Sequence, residues 1–260
     1  MISLSSKAAF ITGGTSGIGL ATAKSFVAHG AFVAITGRDK TRLDAASEAI
    51  GGECLALLAD SADDSAMADG LSAAARTFGG LDIVFANAGH YVHAPLGNTP
   101  RQAIETQLRV VADIYMTVQL ALAHLRDGAS IIVMGSVYAT MGQPGAGAYA
   151  ASKAAAAAMA RSMASELSAR RIRVNVVVPG AIDTPGWPMS QLSPAQRDEH
   201  KRLLGERAPL NRMLRAEEVA NAVLFLASDA SSGIQASEIV VDGGTTGAMA
   251  GSPRYLRGEP

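Results

Sequence analysis

The fold of this chain is decided by the stretch Thr12-Gly13-Gly14-Thr15-Ser16-Gly17-Ile18-Gly19. It follows the apolar run Ala8–Ile11, and a helical pattern of apolar residues continues from Ile18 to about His29. Glycine permits positive φ angles and close approach of the backbone, and the N–H groups at a helix start lack partners inside the helix. A strand, a glycine loop and a helix in this order predict a cradle for a pyrophosphate.

The rest of the chain alternates between short apolar runs and amphipathic stretches. This alternation predicts an α/β fold, a single doubly wound (Rossmann-type) domain with helices on both faces of a parallel sheet. About seven strands are expected, near residues 8–12, 31–36, 53–58, 81–86, 129–135, 173–178 and 238–242. Two helix starts are expected at Thr99-Pro100 and Ser193-Pro194, where a capping residue precedes proline. An alanine-rich helix is expected from Tyr149 to about Ala169.

Composition limits the classes of function. The 260 residues fit one domain over 1–250 with a polar tail over 251–260. A net charge of -1 and a pI near 6.5 give no field that would attract nucleic acid or an anionic membrane. No apolar run is long enough to span a membrane, and Met1–Lys7 leads into the first strand without a signal sequence, so a cytoplasmic protein is expected. The single cysteine, Cys54, is expected to be a small core residue, and no metal site is expected.

A second motif concerns proton transfer. Tyr149 and Lys153 are four residues apart in a helix-prone stretch, so both side chains should project from one helix face. A nearby ammonium favours the phenolate and should lower the pKa of Tyr149. Ser136 ends the apolar run 130–135, a predicted strand, and strand ends are where α/β proteins place their sites. The three residues are therefore candidates for acid–base catalysis.

Together these residues resemble the classical short-chain dehydrogenase/reductase family, over nearly the whole chain. The glycine pattern of that family, Thr-Gly-x-x-x-Gly-x-Gly, is matched by the loop after the first strand. Its Asn-Ala-Gly motif after the fourth strand is matched by Asn87-Ala88-Gly89, and its Pro-Gly turn after the sixth strand by Pro179-Gly180. The resemblance implies hydride transfer between a nicotinamide and a carbonyl or alcohol carbon.

The resemblance also implies roles for individual residues. Tyr149 would give or take the proton, Lys153 would hold the nicotinamide ribose, and Ser136 would bond the substrate oxygen. Contacts with the cofactor fall on Gly13, Thr15, Ser16, Gly17, Ile18, Gly19, Arg38, Asp60, Asn87, Ala88, Gly89, Tyr149, Lys153, Pro179, Gly180, Ile182 and Thr184. Asp60 would contact the adenine, or else cap the next helix. The helix that carries Tyr149, with the one before it, would form a homo-oligomer interface, with a tetramer favoured.

The choice of cofactor depends on the residues after the second strand. A carboxylate there would bond the ribose hydroxyls of NAD and repel a 2′-phosphate, but Gly37 occupies that position. Arg38 follows, and a guanidinium fork suits a phosphate, so NADP(H) is favoured over NAD(H). The alternative is that Arg38 is only solvated or paired with Asp39. Ser16 stands where NADP-preferring relatives often carry a basic residue and does not help the choice.

The helix before Ser136 departs from the family pattern. Relatives carry an asparagine there, thought to hold a water in the proton relay, and alignment places Val110 at that position. Gln107 and Asp113 lie one turn away on either side and could substitute. The relay is therefore in question, which leaves open a regulatory protein that binds NADP(H) without turnover. An NAD-dependent alcohol or sugar dehydrogenase also stays open, whereas a lyase, epimerase or dehalogenase is disfavoured because the lysine and the glycine loop are both present.

The substrate pocket is less determined by sequence. The segment 183–212 is expected to be a lid, in which Trp187 and Met189 cover the site or Trp187 anchors the lid to the core. His90, Tyr91 and His93 could meet substrate, although a loop facing solvent is the expected arrangement. We expect a small or medium uncharged ketone or secondary alcohol as substrate.

Overall fold

The structure is a computed structural model that describes residues 2–51, 54–187 and 192–258. The strands are β1 (Ala8–Ile11), β2 (Phe32–Gly37), β3 (Cys54–Leu58), β4 (Leu81–Ala86), β5 (Leu125–Met134), β6 (Arg173–Pro179), β7 (Ile182–Asp183), β8 (Leu214–Arg215) and β9 (Glu238–Val241). The helices are α1 (Gly17–Ala28), α2 (Lys40–Ile50), α3 (Asp64–Phe78), α4 (Arg101–Ala121), α5 (Gly147–Glu166), α6 (Pro194–Gly205), α7 (Ala216–Ala227) and α8 (Pro253–Leu256). No helix in the described ranges is both long enough and apolar enough to cross a membrane.

The main sheet has seven strands in the order β3-β2-β1-β4-β5-β6-β9, and every neighbouring pair is parallel. The order reverses between β1 and β4, and ligands bind doubly wound sheets in the crevice at such a point. The predicted Rossmann-type architecture with about seven parallel strands is confirmed.

Side chains alternate across the sheet and build a core on each face. In β1, Phe10 packs in the layer that contains α3, α4 and α5, whereas Ile11 packs in the layer that contains α1, α2 and α7. This is the two-residue period of a strand that is buried on both faces. Helices therefore cover both faces, as predicted. Cys54 is half-buried against the second layer, in agreement with its expected packing role.

Two local features differ from the prediction. The short strands β7 and β8 form a separate parallel pair that the sequence pattern did not indicate. Strand β5 begins at Leu125 instead of near 129, because Leu125 pairs with Leu81 before the register shifts. The predicted third strand included Glu53, which lies outside the described residues.

Helix boundaries follow the capping chemistry in one case and not in the other. Ser193 caps α6 as predicted: its Oγ accepts from Gln196 N at 3.3 Å, and Gln196 Oε1 accepts from Ser193 N at 2.9 Å. The expected cap at Thr99 is wrong, because its hydroxyl donates backwards to Pro95 O at 2.6 Å and α4 starts after Pro100. Helix α5 begins at Gly147, two residues before the expected start, and ends at Glu166.

Candidate active site

A cleft of about 950 Å³ lies at the carboxyl ends of the sheet strands. Every residue that the sequence assigned to catalysis or to cofactor contact lines this cleft. The loops after β1, β2, β3, β4, β5 and β6 all contribute to its wall. The fold therefore brings together residues that are distant in the sequence.

The glycine loop follows a path that side chains would block. Gly13 and Gly17 have φ angles of 65° and 53°, in the left-handed region that favours glycine. A Cβ on Gly19 would lie 2.3 Å from Gly13 O, and one on Gly17 would lie 3.3 Å from the Cβ of Thr184. The start of α1 therefore approaches the cleft without side chains in the way. This cradle fits a pyrophosphate, whose charge suits the positive end of a helix.

Asn87 ties the glycine loop to the end of β4. Its Nδ2 donates to Thr12 O at 2.9 Å and to Gly13 O at 3.2 Å. In return, Thr12 Oγ1 accepts from the backbone N–H groups of Asn87, at 3.0 Å, and Ala88, at 2.9 Å. Asn87 thus holds the loop in place as well as lining the cleft.

Two arginines border the cleft next to β2. Arg38 is exposed after Gly37, and Arg42 lies one turn into α2. Arg42 was not predicted as a site residue, although its position in the first turn of the helix after the predicted strand could have indicated it. The proposed pairing of Arg38 with Asp39 is not found, because Asp39 caps α2 by accepting from Arg42 N at 2.9 Å. Neither guanidinium has a carboxylate partner within the described ranges, so this rim is positively charged.

Asp60 lines the cleft after β3. Its Oδ1 accepts from Ala62 N at 3.1 Å and closes a turn. The alternative role, capping the next helix, belongs instead to Asp63, which accepts from Ser65 N and Ala66 N at 3.0 and 3.1 Å.

The three candidate catalytic groups meet at the end of β5. Ser136 follows this strand, and its Oγ accepts from Tyr138 N at 3.2 Å. Tyr149 and Lys153 lie on one face of α5, as predicted, with Lys153 Nζ 5.7 Å from the centroid of the Tyr149 ring. The Lys153 ammonium donates to Met134 O at 2.9 Å, and its side chain is buried.

Burial controls the ionisation of this pair. It lowers the pKa of Lys153 from 10.5 to about 8, because the charged form loses hydration. Burial also raises the pKa of Tyr149, and the nearby Ser136 hydroxyl opposes this rise only in part. The pKa of Tyr149 is therefore raised where the sequence predicted a lowering, because burial is the largest influence on the phenol. The ammonium lies over the ring and is engaged by Met134 O.

An apolar residue of α4, Val110, lies close to Lys153. Val110 is 2% exposed, and a Cβ on Gly89 would lie 3.6 Å from Val110 Cγ1 and 3.7 Å from Lys153 Nζ. Helix α4 runs unbroken past Val110. The valine thus occupies the neighbourhood of the lysine, where a polar group would be needed to relay a proton.

Gln107 and Asp113, the two proposed replacements for the asparagine that Val110 displaces, make contacts with other residues. Gln107 Oε1 accepts from Val92 N at 2.8 Å, and its Nε2 donates to His90 O at 3.1 Å. Asp113 lies 3.9 Å from the guanidinium of Arg109. Among the residues that the structure describes, neither side chain hydrogen-bonds the Lys153 ammonium.

Aromatic rings surround Tyr149. Tyr91 packs edge-on at a centroid distance of 5.2 Å, and Tyr138 does so at 6.1 Å. Tyr91 is half-buried instead of facing solvent, which corrects the expectation for this loop. His90 and His93 are exposed as expected, yet both line the cleft.

The predicted lid segment is attached at its two ends. Strand β7 pairs with β8, and Lys201 of α6 bonds Asp183 at 2.8 Å. Trp187 Nε1 donates to Ile182 O at 2.6 Å, and its ring packs edge-on against His200. These contacts support the second of the two roles expected for Trp187, that of an anchor, and the residue also lines the cleft, as the first role requires. Met189 lies outside the described residues.

Comparisons with known proteins agree with this geometry. The family model described as enoyl-(acyl carrier protein) reductase matches residues 13–246. The oxidoreductase asL5 of Sarocladium schorii is 40% identical over 245 residues, covering 93% of this chain and 96% of that protein. The cis-4-hydroxycyclohexanecarboxylate dehydrogenase of Sinomonas cyclohexanicum is 36% identical, covering 92% and 96%.

Solved structures show the same likeness. A double mutant of a Serratia marcescens short-chain dehydrogenase/reductase superposes with a TM-score of 0.86 at 33% identity, over 94% of this chain and 99% of that one. A blue fluorescent protein from a metagenomic library, solved with NADPH, superposes with a TM-score of 0.85 at 32% identity, over 94% and 99%.

Proposed function

Because the chain belongs to the classical short-chain dehydrogenase/reductase family of oxidoreductases, we propose that it is NADP(H)-dependent and acts on a carbonyl compound or secondary alcohol. The observation that carries this proposal is the shared cleft, in which Ser136, Tyr149 and Lys153 lie beside the glycine loop. A nicotinamide cofactor would supply or accept the hydride, and the protein would control the proton.

In this proposal Tyr149 holds the exchangeable proton. Its raised pKa keeps the phenol protonated at neutral pH, which suits donation to the oxygen of a carbonyl undergoing reduction. Ser136 would donate a hydrogen bond to the same oxygen as negative charge develops there. In the oxidative direction the phenol must lose its proton, and the charge of Lys153 would favour that loss.

The rest of the cleft would hold the dinucleotide. The glycine loop residues 13–19 would bind the pyrophosphate, and Asp60 would contact the adenine. Residues 87–89, 179–180, Ile182 and Thr184 would enclose the nicotinamide half, with Lys153 on its ribose. Arg38 and Arg42 would bind the 2′-phosphate of NADP(H), a role supported by their lack of ion pairs in the described chain. The alternative is an NAD-dependent alcohol or sugar dehydrogenase, in which these arginines stay solvated.

One observation supports a second candidate function. The buried, apolar Val110 and the Lys153 ammonium both lie next to Gly89, on the side where a proton relay would pass. A chain without that relay would bind NADP(H) in the same cleft but turn over slowly or not at all. The second candidate is therefore a regulatory protein that senses the nucleotide.

We also propose a domain organisation and an oligomeric state for the chain. Residues 1–250 would form one domain in which 183–212 is the lid, and the chain would assemble as a cytoplasmic homotetramer. Supporting the assembly, the outer face of α4 exposes Ile104, Leu108 and Tyr115, each about 40% accessible. Sedimentation analysis of the purified chain tests the assembly directly.

The test of the proposed function is turnover with NADPH and NADH in parallel. The absorbance of the reduced nucleotide is followed against ketones, diketones, quinones and keto-sugars, with Tyr149→Phe as the inactive control. Turnover that favours NADPH and is lost in Tyr149→Phe would support the proposal. Tight binding of NADPH without turnover of any substrate would favour the regulatory candidate instead.

A further inference from the structure

Arg207 is a cation in the cleft that the mechanism above does not use. It follows α6, is half-buried, and lines the same cleft as Tyr149. Its Nη1 donates to Gln143 Oε1 at 3.2 Å, and Gln143 lines the cleft as well. Within the described ranges, no carboxylate pairs with this guanidinium.

Glu206, the neighbour of Arg207 in the chain, forms ion pairs with other arginines. Glu206 is 9% exposed, and its carboxylate bonds Arg202 on one side and Arg257 on the other, the latter at 2.5 Å. These two arginines satisfy Glu206, so its charge does not neutralise Arg207. Arg207 therefore carries a positive charge into the cleft that no carboxylate of the described residues neutralises, and the carboxylate of a ligand would pair with it favourably.

The position of Arg207 separates it from the nucleotide end of the cleft. Burial raises the pKa of Tyr138, and the positive charge of Arg207 opposes that rise, so the two side chains are electrostatic neighbours. The Tyr138 ring in turn packs against Tyr149 at 6.1 Å. Arg38 and Arg42 lie at the far rim after β2. Arg207 is therefore on the side of the proton donor where substrate would lie.

We propose that Arg207, together with Gln143, is a specificity-determining subsite for a substrate carboxylate, so that the substrate is a keto acid or hydroxy acid. This inference rests on the proposed function for its reactive carbonyl or alcohol. A guanidinium presents a planar fork that matches the two oxygens of a carboxylate. The proposed carboxylate subsite replaces our expectation of an uncharged substrate.

A purely structural role for Arg207 makes a different prediction. Its bond to Gln143 connects the base of the lid to the loop after β5. If that connection were its whole function, a substitution would change the rates for charged and neutral substrates alike. The discriminating quantity is therefore the ratio of kcat/KM for an acid to that for its methyl ester.

The experiment uses the full chain with acetoacetate, levulinate and 4-acetylbutyrate, each beside its methyl ester, because their different lengths sample different spacings. Arg207→Met should lower the acid-to-ester ratio about 10- to 100-fold, mainly through KM, because a charge-assisted hydrogen bond is lost. Arg207→Lys should restore part of the preference. Arg197→Met is the matched control on α6, because Arg197 is exposed and its Nε donates to Leu192 O at 2.9 Å. The acid-to-ester ratio of Arg197→Met should equal that of the wild type.

A second readout does not depend on turnover. Calorimetry measures the binding of the same acids to the NADPH-loaded Tyr149→Phe variant, with and without Arg207→Met. Binding that requires Arg207 supports the carboxylate subsite even if no ketone is reduced, an outcome that would reject only the proposed function. Reduction of ketones with an acid-to-ester ratio that Arg207→Met leaves unchanged overturns the subsite and keeps the proposed function. Failure of all three acids to bind also overturns the subsite.

Discussion

Replacing Lys153 by methionine should make the protein more stable while removing its activity. The side chain of Lys153 is 3% exposed, and burial lowers its pKa from 10.5 to about 8. Methionine has a similar length and no charge, so it can fill the same space. The increase in the free energy of unfolding measures how much the buried ammonium destabilises the folded state.

The size of the effect follows from the pKa. At about 1.4 kcal/mol per pH unit, the lowering corresponds to roughly 3 kcal/mol of destabilisation when the lysine is charged. Methionine removes this cost but leaves Met134 O without its donor, a loss of about 1 kcal/mol. The expected net gain for Lys153→Met is therefore about 2 kcal/mol near pH 7, or roughly 4–8 °C in Tm for a chain of this size.

The sign of the pH dependence is fixed by the direction of the shift. The folded chain binds the Lys153 proton less tightly than the unfolded chain, so unfolding takes up a proton between the two pKa values. The cost is full below pH about 8 and is relieved as the pH rises toward 10.5. The advantage of Lys153→Met should accordingly shrink to about zero near pH 10.

Scanning calorimetry at one protein concentration measures Tm for the wild type and the variant near pH 7 and pH 10. Lys24→Met is the control, because Lys24 is exposed on α1, and its Tm should follow the wild type at both pH values. A Lys153→Met variant that is less stable than the wild type near pH 7, or whose advantage does not depend on pH, would refute the burial argument.

Three further outcomes follow from the cleft. Tyr149→Phe keeps the ring contacts and loses only the proton donor, so kcat should fall about 10²- to 10⁴-fold with the Kd for NADPH nearly unchanged; undiminished turnover would contradict the assigned role. Arg38→Ala should weaken NADPH much more than NADH in fluorescence titrations, and equal losses would remove the case for NADP(H). Val110→Asn places an amide beside Lys153 and should raise both the pKa of Lys153 and kcat, read from the pH–rate profile. A profile identical to the wild type would show that proton transfer does not pass along α4.

The sequence was sufficient where a local pattern decides the structure. Apolar runs located the sheet strands because a strand buried on both faces must be apolar throughout. The glycine loop could be recognised because Gly13 and Gly17 adopt positive φ angles, and Gly19 approaches backbone closely. Ser193 was identified correctly because a capping box is contained within four residues.

The sequence was insufficient where distant contacts decide the structure. Strands β7 and β8 are two residues long and exist because they pair with each other, so no periodicity marks them. The position of a long side chain depends on the assembled fold, which is why Arg42 and Arg207 were missed. The pKa of Tyr149 was misjudged for the same reason, since burial outweighs a lysine that bonds Met134 O.

The carboxyl end of β5 supports Ser136 and Lys153, and we expect it to be more rigid than the proposed lid segment. Met134 O receives the bond from Lys153, and Ser136 follows two residues later. Because β5 lies between β4 and β6, its amides exchange with solvent only when the sheet itself opens. The proposed lid segment is held by the short pair β7–β8, the exposed Lys201–Asp183 ion pair and the contacts of Trp187 and Arg207, so we expect it to open at a lower free energy than the sheet. Hydrogen exchange should therefore be slow for the backbone amides at the end of β5, which supports the candidate catalytic residues, and fast for the amides of the proposed lid segment.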